Sequence, residues 1–294
     1  MTDTASLKAL VEGRHNNPFA LLGVHREKGK RIVRTLQPGA TAVQLFDAQG
    51  GVIGELQREQ YDGLFAGPMP PRLRYYRLRI TWVDGNVQDI EDPYRFPSAL
   101  GELDLYLLGE GSDKNIYRKL GAHPKELLGV SGTRFAVWAP NASRVSVVGD
   151  FNSWDGRRHV MRLHPGNGIW EIFVPGIGNG TLYKYEITDA NGKLLPLKAD
   201  PYGAFHEPPP GNSSIVFDSD FRWHDDEWMA RRASGPGLDA PAAIYEVHLG
   251  SWRRKDDGSY LTYRDLDNEL VPYVVDMGFT HIELLPVTEH PFDG

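Results

Sequence analysis

The fold class is mainly β: two immunoglobulin-like β-sandwiches in tandem, followed by one βαβ unit that starts an α/β fold. Three observations predict it. The 32 Gly and 21 Pro residues punctuate short runs of Val, Ile, Phe, Tyr and Trp, with few long amphipathic stretches between them. The first third of the chain resembles the middle third at a nearly constant offset. The last 50 or so residues then change to an apolar strand, an amphipathic helix and a second apolar strand.

The repeat defines the first two modules. Arg31-Ile-Val-Arg-Thr-Leu-Gln-Pro38 matches Thr133-Arg-Phe-Ala-Val-Trp-Ala-Pro140, Tyr75-Tyr-Arg-Leu-Arg-Ile80 matches Leu182-Tyr-Lys-Tyr-Glu-Ile187, and Asp92-Pro-Tyr94 matches Asp200-Pro-Tyr202. Residues 1–112 are therefore expected to form one sandwich and 124–225 a second. Between them, 113–123 form a link in which Asp113 to Leu120 reads as a short helix. In the second sandwich, Val145 and Val147, then Trp170, Ile172 and Val174, then Tyr183, Tyr185 and Ile187 alternate so as to line one face of each strand. Trp138 and Trp170 lie in such strands and are expected in the core. Gly176-Ile-Gly-Asn-Gly180 precedes a strand with no Gly-Lys-Ser/Thr after it, so it reads as a hairpin turn and not a phosphate loop.

Residues 226–241, with Ser234-Gly-Pro-Gly-Leu-Asp-Ala-Pro241, form a linker. Residues 242–294 open an α/β fold. Ala243 to Leu249 is a buried-strand pattern, and Thr262-Tyr-Arg-Asp265 resembles a capping box. Leu266, Leu270, Val274 and Met277 recur at helical spacing, Pro272 is expected to kink or divide that helix, and Gly278 supplies its C-cap. Thr280 to Val287 is the second strand. One βαβ unit cannot close a barrel or cover both faces of a parallel sheet, so the chain is expected to be truncated. Leu249, Leu266, Leu270, Leu284 and Leu285 would then lose their partners.

Composition narrows the function. With 32 Lys+Arg against 39 Asp+Glu the net charge is −7, and no basic run suggests a nucleic-acid partner. No apolar stretch suggests a membrane partner. The absence of cysteine excludes disulfides and thiolate chemistry. The N-terminus lacks the marks of a signal peptide, so a cytoplasmic location is expected. His159 and His164 are the nearest candidate histidine pair, without metal-ligand spacing, and neither a metal nor another cofactor is expected. No nucleophilic-serine elbow occurs. Asp225-Asp-Glu227 reads as a solvated charge run, whereas Glu289 and His290 follow the second barrel strand at the end where barrel enzymes bind substrate. Trp154, in the turn-rich Gly149 to Gly156, is the best placed aromatic to stack on a sugar ring.

Val148-Gly-Asp-Phe-Asn-Ser-Trp-Asp-Gly156, Tyr183-Lys-Tyr-Glu-Ile187 and Ala199-Asp-Pro-Tyr202 resemble carbohydrate-binding module family 48. Ile244-Tyr-Glu-Val-His-Leu-Gly-Ser-Trp252 and Met277 to Gly294 resemble the opening of the catalytic barrel of bacterial 1,4-α-glucan (glycogen) branching enzymes, within glycoside hydrolase family 13, which implies that the βαβ unit is the first of a truncated (β/α)8 barrel. The resemblance implies retaining transfer of an α-1,4-glucan segment to a 6-hydroxyl, with glycogen-like α-1,4-glucan as partner and a monomer as the full-length form. The family's catalytic carboxylates lie on later barrel strands, so no catalytic residue is carried over and this chain alone is expected to be inactive. By resemblance to glycogen-binding modules of kinase regulatory subunits, Trp154, Lys184 and Asn212 are the sugar-binding candidates. The fourth place of that site, near Asn191 to Leu195, has leucine where those modules have tryptophan. The alternatives are a stand-alone glucan-binding scaffold and another family 13 glucan hydrolase.

Overall fold

In the computed structural model, which describes residues 4–71, 73–235, 237 and 239–287, the alternating runs of the first 219 residues pair as antiparallel strands. The chain divides into two compact units after Ser219.

The first unit opens with helix α1 (Thr4–Val11) and seven strands: β1 (Gly23–Glu27), β2 (Lys30–Leu36), β3 (Ala40–Phe46), β4 (Val52–Arg58), β5 (Leu64–Pro68), β6 (Arg77–Trp82) and β7 (Val87–Glu91). They hydrogen-bond in the order β1-β2-β5-β4-β3-β6-β7. Strand β4 pairs with both β5 and β3, and the sheet folds over there. Val33 and Phe65 from one half share a core with Val43, Leu45, Leu78 and Ile80 from the other. Leu7 and Leu10 of α1 cover the far side at Leu36 and Leu64.

Helix α2 (Glu102–Glu110) follows, and then β8 (Gly121–Leu127), β9 (Val130–Trp138), β10 (Ala142–Val148), β11 (Arg162–His164), β12 (Ile169–Pro175), β13 (Leu182–Asp189), β14 (Phe205–His206) and β15 (Ser214–Ile215). These make two four-stranded sheets, β10-β13-β15-β14 and β11-β12-β9-β8. The residues expected to alternate inward do so: Val145, Val147, Trp170, Ile172, Val174, Tyr183 and Tyr185 are buried together, with Ile187 packed against them.

Three expectations for this unit are corrected. The α-helix lies at 102–110, ahead of the anticipated link, where only a 3-10 turn at 116–118 is helical and β8 has begun by Gly121. Gly176 to Gly180 is no hairpin: it carries the chain from β12 in one sheet to β13 in the other, tied by Thr133 Oγ1 donating to Ile177 O (2.7 Å) and Gly180 N to Val216 O (2.9 Å). Trp138 is outside the core, 62% exposed, because Phe135 and Val137 take the inward positions of β9 and alternation turns Trp138 outward.

The repeat holds at the level of atoms. A Cβ at Gly23 would sit 2.7 Å from Tyr94 O and one at Gly121 2.8 Å from Tyr202 O; both glycines have left-handed φ, so no other residue fits either place. His25 Nε2 lies 2.7 Å from Leu22 O and His123 Nε2 2.8 Å from Leu120 O. Tyr76 donates to Asp92 Oδ2, as Tyr183 and Tyr185 do to Asp200 Oδ2, and Tyr94 N and Tyr202 N donate to the second oxygen of each aspartate. A buried aspartate that takes an upstream tyrosine hydroxyl and the amide two residues on, at the same corner in both copies, is poorly explained by chance.

The two halves of this unit are bonded to each other. Glu171 on β12 accepts from Ser98 Oγ, Ala99 N and Leu100 N, and His164 Nε2 lies 2.9 Å away. Tyr94 Oη accepts from Val160 N at 2.9 Å, and Phe96 packs on Phe173 at 4.8 Å between ring centres.

The second unit contains α3 (Asp226–Ala233), β16 (Ile244–Val247), α4 (Leu249–Trp252), α5 (Tyr263–Asp276) and β17 (His281–Leu284). Strands β16 and β17 are parallel, as the strand–helix–strand pattern requires. Thr262 and Asp265 make the reciprocal capping box. Gly278 at φ +79° closes the helix, its amide donating to Val275 O and that of Phe279 to Val274 O. Pro272 neither divides α5 nor ends it; the helix is continuous from 263 to 276. Leu266, Leu270 and Val274 bury themselves against Val247, and Leu249 packs partly on them, so these leucines keep partners. The β17 strand is the reverse of a buried one: all four of its residues are exposed, with Leu284 47% and Leu285 38% open, because the apolar stripe of α5 closes on Val247 and Tyr245 of β16 and no described residue forms a layer over β17.

Candidate functional site

The segment between β10 and β11 is unusual in its backbone. Ser153 and Trp154 adopt left-handed φ values of 56° and 59°, a region that a bulky side chain such as tryptophan enters only when its surroundings hold it there. The restraints are visible. Trp154 N donates to Gly149 O (3.0 Å), Ser153 N to Asp150 O (3.1 Å), and Asp155 N to Asn152 O (3.1 Å). Asn152, fully buried, donates to Val147 O (2.9 Å) and accepts from Gly149 N (3.0 Å). Gly149 has no room for a Cβ, since Leu182 O of the neighbouring strand lies against it. The result is a half-buried indole whose Nε1 is fixed on Asp150 Oδ1 at 2.8 Å.

That loop leaves the sheet beside the second candidate. Val148, one residue before Gly149, is the register partner of Lys184 on β13. Alternation turns Tyr183 and Tyr185 into the core and Leu182, Lys184 and Glu186 to the outside. Lys184 Nζ donates to Asn212 Oδ1, so the structure joins two of the three residues by a side-chain bond. Glu207 receives Ser213 N at 2.8 Å, and the hydrogen bonds from Ser213, with Lys184 nearby, hold its carboxyl below the usual glutamate range. Ile215 pairs with both Leu182 and Phe205, and the Phe205 and Phe217 rings meet at 5.3 Å. Sequence reasoning missed this phenylalanine pair, because two-residue strands carry no periodic signal. Near Asn191 to Leu195 the side chain presented is Leu194, 56% exposed, with no aromatic plane.

Glu289 and His290 lie outside the described residues. His159 and His164 do not converge on a metal: one sits on the Phe151 ring and the other on Glu171, and the described residues hold no cluster of three or more His, Asp or Glu able to bind one. No described helix is long and apolar enough to cross a membrane.

His159 supports the Trp154 loop from beneath, its Nδ1 2.9 Å from Asn152 Nδ2. Burial, reinforced by the Arg158 guanidinium, pushes its pKa down to about 3. The folded chain thus binds this proton more weakly than the unfolded chain, and stability complete above the ordinary histidine pKa of about 6.5 drains away as the pH falls toward 3. Asp92 acts in the opposite sense: burial, only partly offset by Tyr76 and Tyr94, raises it to about 6, so its ionisation costs stability as the pH climbs from about 4 to 6. The two are separated by comparing the parent with His159→Gln. The variant is expected to lose about 1 kcal/mol less than the parent between pH 7 and 5, a figure reduced for the ring edge that still meets water. Urea titrations at both pH values measure this, and parallel losses would remove His159 from the account.

The chain carries two antiparallel β-sandwiches in tandem, and residues 119–203, in the second, match the family described as carbohydrate-binding module 48 (isoamylase N-terminal domain). Residues 3–94 match the alpha-1,4-glucan branching enzyme GlgB, N-terminal domain. The chain is 61% identical, over 98% of its length, to the 1,4-alpha-glucan branching enzyme GlgB of Rubrobacter xylanophilus, of which it covers 40%. It is 53% identical over 98% of its length to that of Rhodospirillum rubrum, again covering 40%, and 52% identical over 97% to that of Paramagnetospirillum magneticum, covering 39%. The chain belongs to the 1,4-α-glucan branching enzyme family and spans about 40% of the length of the curated relatives it matches.

Proposed function

We propose that this chain is the glucan-holding part of an enzyme that cuts an α-1,4-glucan and transfers the segment to a 6-hydroxyl, making α-1,6 branches. The observation that supports the binding role is the backbone of Trp154, held in a left-handed conformation in a loop that leaves β10 next to Val148, the register partner of Lys184, which is bonded to Asn212. The indole face would stack on the C–H face of a pyranose while Lys184 and Asn212 meet its hydroxyls. Transfer of the segment requires a carboxylate nucleophile and a second carboxyl group that acts as acid and then as base, and these residues carry no such motif. On this reading the chain retains glycogen without branching it.

Co-sedimentation with glycogen tests the first part. Trp154→Ala and Lys184→Ala are each expected to weaken retention roughly two- to tenfold, the scale of one stacking or charge-assisted contact. Parent-like retention by both would exclude this face. An iodine assay on amylose tests the second part, with no change in stain expected from the 294 residues.

A further inference from the structure

The opposite sheet has an aromatic feature that this reading does not use. Trp138 ends β9 on the outer face of β11-β12-β9-β8, in a cross-strand row with Ile169 and His164. The rest of that face is covered by residues 96–120: Phe96 lies on Phe173, Ser98 to Leu100 on Glu171, Leu100 and Leu120 on Ala136, and Arg134 donates to Arg118 O and Lys119 O. Trp138 escapes this cover and stays 62% exposed.

Its ring is nonetheless fixed. Nε1 donates to Asn167 O at 3.0 Å, and Asn167 is itself anchored, donating from Nδ2 to Leu105 O of α2 at 3.0 Å and accepting Ile169 N at 3.1 Å. On α2, the residue after Leu105, Tyr106, is 59% exposed with its hydroxyl held on Glu110 Oε1 at 2.5 Å. A cleft of about 510 Å³ lies against α2, lined by Leu105, Tyr106, Gly109, Glu110, His164 and Asn167. That volume falls within the range of small-ligand sites. Both aromatic rings are tied through their polar atoms, which leaves their faces free: Tyr106 lines the cleft itself, and Trp138 is joined to it through Asn167. The Glu110 carboxylate and the second ring nitrogen of His164 supply polar groups at the rim. A flat C–H face ringed by hydroxyls matches this chemistry better than an alkyl chain, which has no use for the carboxylate, or an anion, which Glu110 repels.

We infer that Trp138, Tyr106 and the cleft beside them form a second α-glucan-binding site, on the sheet opposite Lys184. The inference rests on the reading of this chain as a glucan binder. Two sites on opposite faces of one sandwich would hold a branched polymer at two points, raising retention on glycogen well above that on a short oligosaccharide.

The test is a titration of the whole chain, its seven tryptophans labelled at the indole nitrogen, with maltoheptaose followed by NMR. Single substitutions assign the Trp138 and Trp154 resonances. Saturable shifts of the Trp138 resonance, and roughly two- to tenfold weaker glycogen retention by Tyr106→Ala, are expected. Tyr106 lies on an exposed helix face, so its loss leaves the core intact should Trp138→Ala fail to fold. A Trp138 resonance that stays still at millimolar sugar while that of Trp154 moves overturns this site and leaves the proposed function standing. If neither moves, both fall. A Tyr106→Ala chain that binds glycogen like the parent also overturns the cleft.

Discussion

Glu171→Ala is expected to lower the stability of the first unit by about 3–5 kcal/mol, the scale for breaking a buried, fully bonded charge. The Glu171 side chain is 2% exposed and takes hydrogen bonds from Ser98 Oγ, Ala99 N and Leu100 N, with His164 Nε2 also in reach. Removing it takes the acceptor from Ala99 N and leaves Ser98 Oγ and Leu100 N only their bonds within the segment, in a largely buried place, and the loss falls on the segment that joins the two sandwiches. Glu171→Gln keeps an acceptor for the Ala99 and Leu100 amides but turns an amide donor toward Ser98, so a smaller loss of about 1–2 kcal/mol is expected. Burial raises the Glu171 pKa, but the bonds from His164, Ser98 and Ala99 outweigh it and hold the carboxyl below its ordinary value. Its contribution is therefore present above the usual glutamate range and lost as the pH falls through the lower folded value. Urea unfolding of the three chains at pH 7 measures the order, and protease cleavage near 98–112 should accelerate in Glu171→Ala. Equal stability of Ala and parent would show that the joint does not depend on this carboxylate.

A loss of similar size, about 3–5 kcal/mol, is expected for Arg144→Ala. Its side chain, 6% exposed, pairs with Glu186 and donates to Gly156 O (3.0 Å) and Ser146 Oγ (3.3 Å), so it clamps the far end of the Trp154 loop to β10 and β13. The substitution leaves Glu186 without its partner and Gly156 O without its donor. Replacing both charges, Arg144→Met with Glu186→Leu, should recover most of the loss, because the penalty comes from the stranded charge and not from any large net worth of the pair. Thermal unfolding gives the stabilities. Glycogen retention by the double variant then reports whether the clamp also positions Trp154. A double variant as unstable as Arg144→Ala would assign the loss to packing instead.

Much of this architecture was legible in the chain. Alternation places Tyr183 and Tyr185 inward and Lys184 outward with no reference to any partner strand, because the side-chain period of a strand is a local property. The capping box at Thr262 and the glycine cap at 278 are likewise local, each set by side chains within four residues of the helix end. The candidate site was only half legible. Trp154 stands out by its turn-rich surroundings and Lys184 by its strand phase. Phe205 and Phe217 are invisible until two short strands bring them to 5.3 Å, and Trp138 reads as core until the inward places on β9 are seen to be filled.

The sequence by itself determined the mainly β class, the duplication, the parallel strand–helix–strand at the end and the faces that each strand presents. All of these follow from short-range periodicity or from comparing the chain with itself. Only the tertiary structure decided that the first seven strands form one folded-over sheet, that Gly176 to Gly180 crosses between sheets, and that Glu171 binds the joint between the sandwiches. It also decided that β17 is exposed and that Lys184 meets Asn212 across 28 positions of chain. The physical reason is the same in each case. Pairing partners and burial depend on which distant segment arrives at a surface, and period-two alternation carries the phase of a strand without naming its neighbour.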